Sequence, residues 1–329
     1  MKKFLNSVHT VLDESFDGFV AAHADIIVAG EERKFARRRS LKPGKVALVS
    51  GGGSGHEPLH AGFVGHGMLD AACPGQIFTS PTPDQMFAAA ESVDQGEGVV
   101  LIVKNYEGDV MNFEMAAEMT DGRCATVITD DDVAVETSTY STGRRGVAGT
   151  LIVEKIVGAA AEKGMKRLEL QALGQTVNRR TRSMGVALTS CTVPAAGKPN
   201  FELGETEIEM GVGIHGEPGR RRVPIATAHA IAEEMVKAIL DDLAPRRGDE
   251  AILFVNGFGG TPLIELYLLY NEAARVINAA GLKPVRSLVG SYVTSLDMAG
   301  ASITLSVLDD STTKLWDAPV HTPALRWGM

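Results

Sequence analysis

Two glycine-flanked histidines are the residues of this chain best suited to chemistry. The first ends the run Gly51-Gly52-Gly53-Ser54-Gly55-His56-Glu57-Pro58, which comes after the apolar stretch Val46–Ser50. The second lies in Gly213-Ile214-His215-Gly216-Glu217-Pro218-Gly219. Glycines let the backbone come close to a small ligand, and an imidazole with an ordinary pKa of about 6.5 is largely neutral and nucleophilic near physiological pH. The Gly51–Gly55 loop could cradle an anion at a helix N-terminus, or be a tight turn with no ligand. It lacks the Lys-[Ser/Thr] of a Walker A loop and is a poor dinucleotide fingerprint. His215, set among residues without side chains, could face a ligand or bond to backbone in a turn.

Further polar groups come directly after an apolar strand in Lys104-Asn105-Tyr106-Glu107-Gly108-Asp109. Lys104 could bind an oxygen ligand and Asp109 could act as a general base; taken alone, ordinary solvated loop charges are the simpler reading. Asp130-Asp131-Asp132 has oxygen ligands for Mg²⁺, but a polar strand end that caps the next element is the simpler reading. His60, His66 and His229 show no partner spacing. Arg37–Arg39 could dock a partner or be a solvated face.

The elements that must position these groups are legible from periodicity. Val46–Ser50, Val99–Val103 and Thr126–Ile128 are short, rich in β-branched residues, and read as buried strands. Helices are expected from Pro83, with Thr82 as N-cap and Gln85 as its capping-box partner, and over Met111–Met119 and Ala148–Lys163. This alternation predicts an α/β chain. A three-layer α/β/α domain with a mainly parallel sheet is expected over residues 1–182, and ligands gather at the carboxyl ends of such strands. A smaller α+β domain with a mixed sheet is expected over residues 183–329. It would contain a strand at Ala251–Asn256, a helix to about Ala280 with Gly281 as C-cap, and a half-buried strand at Ile303–Leu308.

The 329 residues carry a net charge of −9, with 44% hydrophobic and 22% charged residues. That composition suits a soluble globular protein and argues against a nucleic-acid surface. Cys73, Cys124 and Cys191 have no metal-ligand spacing and cannot all pair, so a reducing, cytoplasmic setting is expected. Asp13, Glu14 and Asp17 interrupt the apolar residues of the N-terminus, against a signal peptide.

The stretches Lys45–Pro58, Phe78–Pro83, Lys104–Tyr106 with Gly108-Asp109, Asp130–Val135, Gly143–Ala148, Cys191–Pro199, Gly211–Gly219 and Trp316–Leu325 together resemble the dihydroxyacetone kinases from end to end. Within that family they are most similar to the separate dihydroxyacetone-binding subunit of the bacterial, phosphoenolpyruvate phosphotransferase-system-dependent enzyme. The resemblance implies that His215 adds a ring nitrogen to the ketone carbon of dihydroxyacetone, giving a hemiaminal. It implies that Asp109 is the base for the hydroxyl to be phosphorylated and that His56 orients substrate and shares acid–base work. Gly53, Ser54, Gly55 and Lys104 would contact substrate. It further implies a homodimer that binds no metal or nucleotide itself. Nucleotide and Mg²⁺ would come on a partner kinase subunit, and phosphate through a phosphocarrier subunit of the phosphotransferase system. The end of the chain at Met329, soon after the last motif, agrees with that expectation. A related ketose such as erythrulose, or a role as a dihydroxyacetone sensor that regulates a partner, are the alternatives; Asp109 argues against a pure sensor. The short connection Ala244–Glu250 departs from relatives with a longer insertion there, outside the site motifs.

Overall fold

A computed structural model describes residues 2–135, 141 and 143–329. In chain order its elements are α1 (Val11–Ala22), β1 (Ile27–Ala29), β2 (Ala36–Arg38), β3 (Ala47–Ser54), β4 (Ala71–Ile77), α2 (Pro83–Val93), β5 (Val99–Lys104), α3 (Glu107–Glu118), β6 (Cys124–Thr129), α4 (Gly149–Glu162) and α5 (Arg167–Arg179). They continue as β7 (Thr181–Ala187), β8 (Glu207–Met210), β9 (Arg221–Pro224), α6 (Ala228–Leu243), β10 (Glu250–Gly257), α7 (Leu263–Ala279), β11 (Lys283–Gly290), β12 (Gly300–Val307), α8 (Asp310–Trp316), β13 (Val320–His321) and β14 (Arg326–Trp327). No helix among the described residues is long and apolar enough to cross a membrane.

The chain forms two compact units. The first comprises Met1–Ile128, Val153–Thr176 and Lys314–Met329. Its sheet has the order β1-β2-β4-β3-β5-β6. Strand β3 runs parallel to both β4 and β5, and β2 pairs antiparallel with β1 and β4. Alternation along β3 separates two faces. Ala47 and Val49 join Leu101, Val103, the α2 residues Met86 and Ala90, and Phe113 of α3 in one core. Leu48, Val100 and Ile102 are equally buried on the other face. There Gly174 of α5 lies so close to Val127 of β6 that a Cβ would fall 2.8 Å from its methyl carbon. The expected capping box starts α2: the Thr82 N–H donates to Gln85 Oε1 at 2.9 Å. The C-terminal segment returns to this unit, where the Ala324 N–H donates to Gly62 O at 2.9 Å.

The second unit, Thr129–Ile152 with Val177–Thr313, holds a sheet of order β11-β10-β12-β7-β8-β9. Among the described residues, β10 and β11 are its one parallel strand pair; the remaining pairs are antiparallel, as a mixed sheet requires. Helices α6 and α7 cover one face through Met235, Ile239, Leu266 and Ile277, packed on Leu253, Val255, Met184 and Leu305.

Two expectations give way. A single boundary at 182/183 would cut β7, all seven residues of which pair with β12; the chain instead passes between the units inside β6, α4, α5 and α8. Strand β12 is buried along nearly its whole length rather than on alternate residues. Its polar positions are tolerated because they are paired: Thr304 Oγ1 with Ser183 Oγ at 2.7 Å, and Ser306 Oγ with Thr181 Oγ1 at 2.8 Å.

Leu253 is fully buried in the second core, with α-helices on its side of the sheet. Leu253→Ala is expected to lower unfolding free energy by about 2–5 kcal/mol, read from the urea midpoint at unchanged slope.

Candidate functional site

In the first unit the carboxyl ends of β3 and β5 are neighbours, which brings the glycine loop beside Lys104. Lys104 is the last residue of β5 and is fully buried. Asp109 stands in the first turn of α3, also buried, where the helix dipole favours a negative charge. Lys104 Nζ donates to Asp109 Oδ2 at 3.2 Å and to Gly51 O at 3.4 Å. Its remaining partner is His60 Nε2 at 3.1 Å. On the far side of that ring, Nδ1 lies 2.6 Å from Glu154 Oε1 of α4 and 3.0 Å from Ser50 Oγ of β3.

The glycines have a different reason from the one their sequence suggests. Residues 51–53 continue strand β3, and no α-helix comes directly after the loop, so the helix-terminus anion cradle is absent. A Cβ on Gly51 would lie 2.6 Å from Cys73 O, one on Gly52 2.2 Å from Lys104 Nζ, and one on Gly53 2.5 Å from Thr79 N. Gly52 is thus a glycine because the lysine ammonium occupies its side-chain space. Beyond the strand, Gly55 takes φ +103 and its N–H donates to the Glu57 carboxylate at 2.9 Å. Ser54 Oγ donates to Gly75 O at 2.7 Å. Burial raises the Glu57 carboxyl above its ordinary value, against the backbone bonds that lower it. His56 is buried and stacked on Phe78, ring centroids 5.0 Å apart and planes 24° from parallel.

His215 belongs to the second unit, on the loop after β8. Glu217 Oε2 accepts from the His215 backbone N–H at 2.8 Å, and Oε1 lies 3.6 Å from His215 Nδ1. Burial opposes ionisation of Glu217, but His215 and the Arg145 guanidinium outweigh it and hold the carboxyl at about 2. Gly213 repeats the logic of Gly52: a Cβ there would fall 2.1 Å from Glu217 Cδ. Arg145, fully buried, fixes the loop from beneath, bonding Asp132 Oδ2 at 2.8 Å through Nε and Gly211 O at 2.7 Å through Nη2. A cavity of about 330 Å³ opens beside His215, lined by Asn200, Phe201, Glu209, Pro218 and Arg222 among others.

The aspartate triplet is structural. Asp131 accepts from the Val147 and Gly149 N–H groups at 2.9 and 2.7 Å, capping α4, and Asp130 accepts from Asn178 Nδ2 at 2.7 Å. No cluster of metal-ligating side chains occurs among the described residues. Of the other motifs, Arg38 is a buried ion-pair partner of Asp70 and Glu162 at 3.1 and 2.6 Å rather than part of a solvated face. His66 and His229 pair with Glu162 and Glu272. Sequence reasoning missed His60, Glu154, Glu217 and Arg145. Only Glu217 carried a signal, since both glycine-flanked histidines precede a Glu-Pro pair.

A family model for the Dak1 domain matches residues 17–324. The chain is 49% identical over the full length of both proteins to the dihydroxyacetone-binding subunit DhaK of the phosphoenolpyruvate-dependent dihydroxyacetone kinase of Escherichia coli K12. Among solved structures, the C. freundii dihydroxyacetone kinase in complex with AMP-PNP and Mg²⁺ superposes with a TM-score of 0.88 at 34% identity, covering 99% of this chain and 61% of that one. The dihydroxyacetone kinase operon co-activator DhaQ superposes with a TM-score of 0.89 at 32% identity, covering 95% and 98%. With a family model spanning all but the chain ends, and half of its residues shared end to end with a dihydroxyacetone-binding subunit, the chain belongs to the dihydroxyacetone kinase family.

Proposed function

We propose that this chain is the dihydroxyacetone-binding subunit of a dihydroxyacetone kinase and that it captures its substrate covalently. A ring nitrogen of His215 adds to the ketone carbon; the C–N bond forms, the carbonyl oxygen takes a proton to become a hydroxyl, and the imidazole gives up its N–H proton. The product is a hemiaminal. An imidazole adduct cannot lose water to a stable neutral imine, so it stops there. Capture through a carbonyl rejects glycerol, which hydrogen bonds alone would discriminate poorly. It also fixes the reacting hydroxyl for in-line transfer, with Asp109 taking its proton.

The observation that carries this reading is Asp109, buried in the first turn of α3 and bonded to Lys104 at 3.2 Å. Lys104 and Gly53 would meet substrate oxygens, and His56 would orient them. The Ser54 hydroxyl and Gly55 N–H already donate within the chain, so Ser54 would serve as an acceptor and Gly55 chiefly as space. Phosphate would come from a nucleotide-carrying kinase subunit, itself recharged by a phosphocarrier of the phosphotransferase system. The exposed apolar residues Leu263, Ile264, Tyr267 and Leu268 of α7 are the surface on which to seek a second copy of the chain.

One observation favours a second reading. The co-activator DhaQ shares this fold over nearly its whole length, so a regulatory module that binds dihydroxyacetone is physically open to the same framework.

Three outcomes test these readings. Intact mass spectrometry with dihydroxyacetone should show an adduct of the full substrate mass, lost in His215→Ala; an adduct lighter by one water would point to a lysine Schiff base instead. With partner subunits supplied, Asp109→Asn should keep the adduct and lose about 10²- to 10⁴-fold in phosphoryl transfer. Wild-type protein that forms the adduct yet supports no transfer with any kinase partner would favour the sensor.

Glu217 sets an acid limit. Its folded pKa lies below the ordinary 4.5, so the stability it contributes is complete above about 4.5 and is lost as pH falls through about 2. Between about pH 5 and pH 3 the urea midpoint of the wild type should therefore fall more steeply than that of Glu217→Gln.

A further inference from the structure

The buried polar cluster of the first unit is larger than the chemistry above uses. Lys104 and Asp109 have roles; His60 and Glu154 have none, yet their side chains are almost wholly enclosed.

Donor counting assigns the ring. A lysine ammonium has three N–H donors and no acceptor, so the His60 nitrogen 3.1 Å from Lys104 Nζ must present a lone pair. A neutral imidazole then carries its one proton on Nδ1. The other side of the ring agrees independently. Ser50 Oγ has an acceptor for its single hydrogen in Ile102 O at 2.7 Å, so towards Nδ1 at 3.0 Å it presents a lone pair. Glu154 Oε1, at 2.6 Å, accepts from the same N–H. Burial, reinforced by Lys104, holds the His60 pKa well below the ordinary imidazole range, which keeps the ring neutral. Burial lifts the Glu154 carboxyl to about 8 against the pull of Lys104, and as acid or carboxylate it still offers an oxygen to Nδ1–H.

We propose that His60, locked by Glu154 and Ser50 as the Nδ1–H tautomer, is a positioning residue for Lys104: its Nε2 lone pair takes one ammonium N–H and thereby directs the others at Asp109 and at the glycine strand end. The inference rests on the reading that Lys104 and Asp109 serve the phosphorylated substrate. All three ammonium donors then have acceptors, and the longest bond, 3.4 Å to Gly51 O, is the one a substrate oxygen displaces most readily. Without His60 the ammonium would lean onto the Asp109 carboxylate and blunt it as a base. The titratable groups that face the ring are Lys104 from β5, Glu154 from α4 and His56 from its own loop, with Asp109 of α3 beyond Lys104.

The test has two independent arms. Two-bond ¹⁵N–¹H correlations of the labelled full chain, with the His60 ring assigned by its loss in His60→Gln, should show Nδ1 protonated and Nε2 bare at neutral pH. Glu154→Gln, whose amide oxygen still accepts, should keep that tautomer, and Glu154→Leu should give a mixture. An Nε2–H ring or an imidazolium in the wild type overturns the proposal. In the second arm, transfer assays with partner subunits should show His60→Leu losing about ten- to hundredfold, with a displaced pH midpoint. His60→Gln, whose carbonyl reaches the place of Nε2, should recover part of the loss. A folded His60→Leu that matches the wild type in rate and pH midpoint overturns the proposal; if that variant does not fold, the wild-type tautomer decides alone. A wild type that forms no adduct and supports no transfer would sink the functional reading instead, and the tautomer arm still judges the placement of Lys104.

Discussion

A lysine ammonium with no access to water is the constraint around which the first unit's site is arranged. Burying a cation is costly unless it is paired and all its donors are bonded. Lys104 meets that condition with one carbonyl, one imidazole and one carboxylate, each from a different segment of the unit. Those three acceptors dictate much else. Gly52 has to lack a side chain, because the ammonium lies within 2.2 Å of where Cβ would be. His60 has to present a lone pair, and Asp109 has to offer an oxygen.

The second unit solves a similar problem with Arg145. Its planar fork is always charged and reaches Asp132 and the Gly211 carbonyl together, something a lysine could not do. Glu217, 3.9 Å from the same guanidinium, passes that order on to the backbone of His215. Both glycine-flanked histidines therefore sit beside a glycine whose missing side chain leaves room for an ionised group: Lys104 at Gly52, Glu217 at Gly213. The resemblance between the two motifs lies in that packing rule. The acidic residues they share do different work, since Glu57 closes its own turn at Gly55 while Glu217 holds the histidine loop.

Much of this was legible in the sequence because it is local. Strands β3, β5 and β10 stand out as apolar runs, α2 announces itself by Thr82, Pro83 and Gln85, and the histidine loops by their glycines. What stayed hidden depends on contacts distant in sequence. His60 and Glu154 are 94 residues apart, and nothing in the helical pattern of α4 distinguishes an inward glutamate from an outward one. Strand β12 looked half-exposed because Ser302, Thr304 and Ser306 alternate with apolar residues, and only their partners on β7 and β10 reveal them as buried. The boundary expected at 182/183 failed for a related reason. The polar stretch Arg179-Arg180-Thr181-Arg182 reads as a helix end or a linker; it does end α5 at Arg179, but no linker separates it from the next strand, since Arg182 lies in β7 and bonds Asp242 of α6 at 2.5 Å.

Stability alone does not account for the polar cluster at Lys104. Replacing a buried ion pair by apolar residues of similar volume is commonly neutral or stabilising, so a fold selected only to persist would have no use for Ser50, His60, Lys104, Asp109 and Glu154 in one enclosed place. Each is also a liability, because removing one member leaves the others buried and unsatisfied. A site that must present a base and an aimed ammonium to a small hydroxyketone, as proposed above, has the opposite need. Its charges must be held in a fixed orientation before the substrate arrives, in surroundings too dry to screen them. The cluster sits where β3 and β5 both end, the position at which parallel sheets gather ligands, and under the proposed function its polarity serves orientation at some expense to the core.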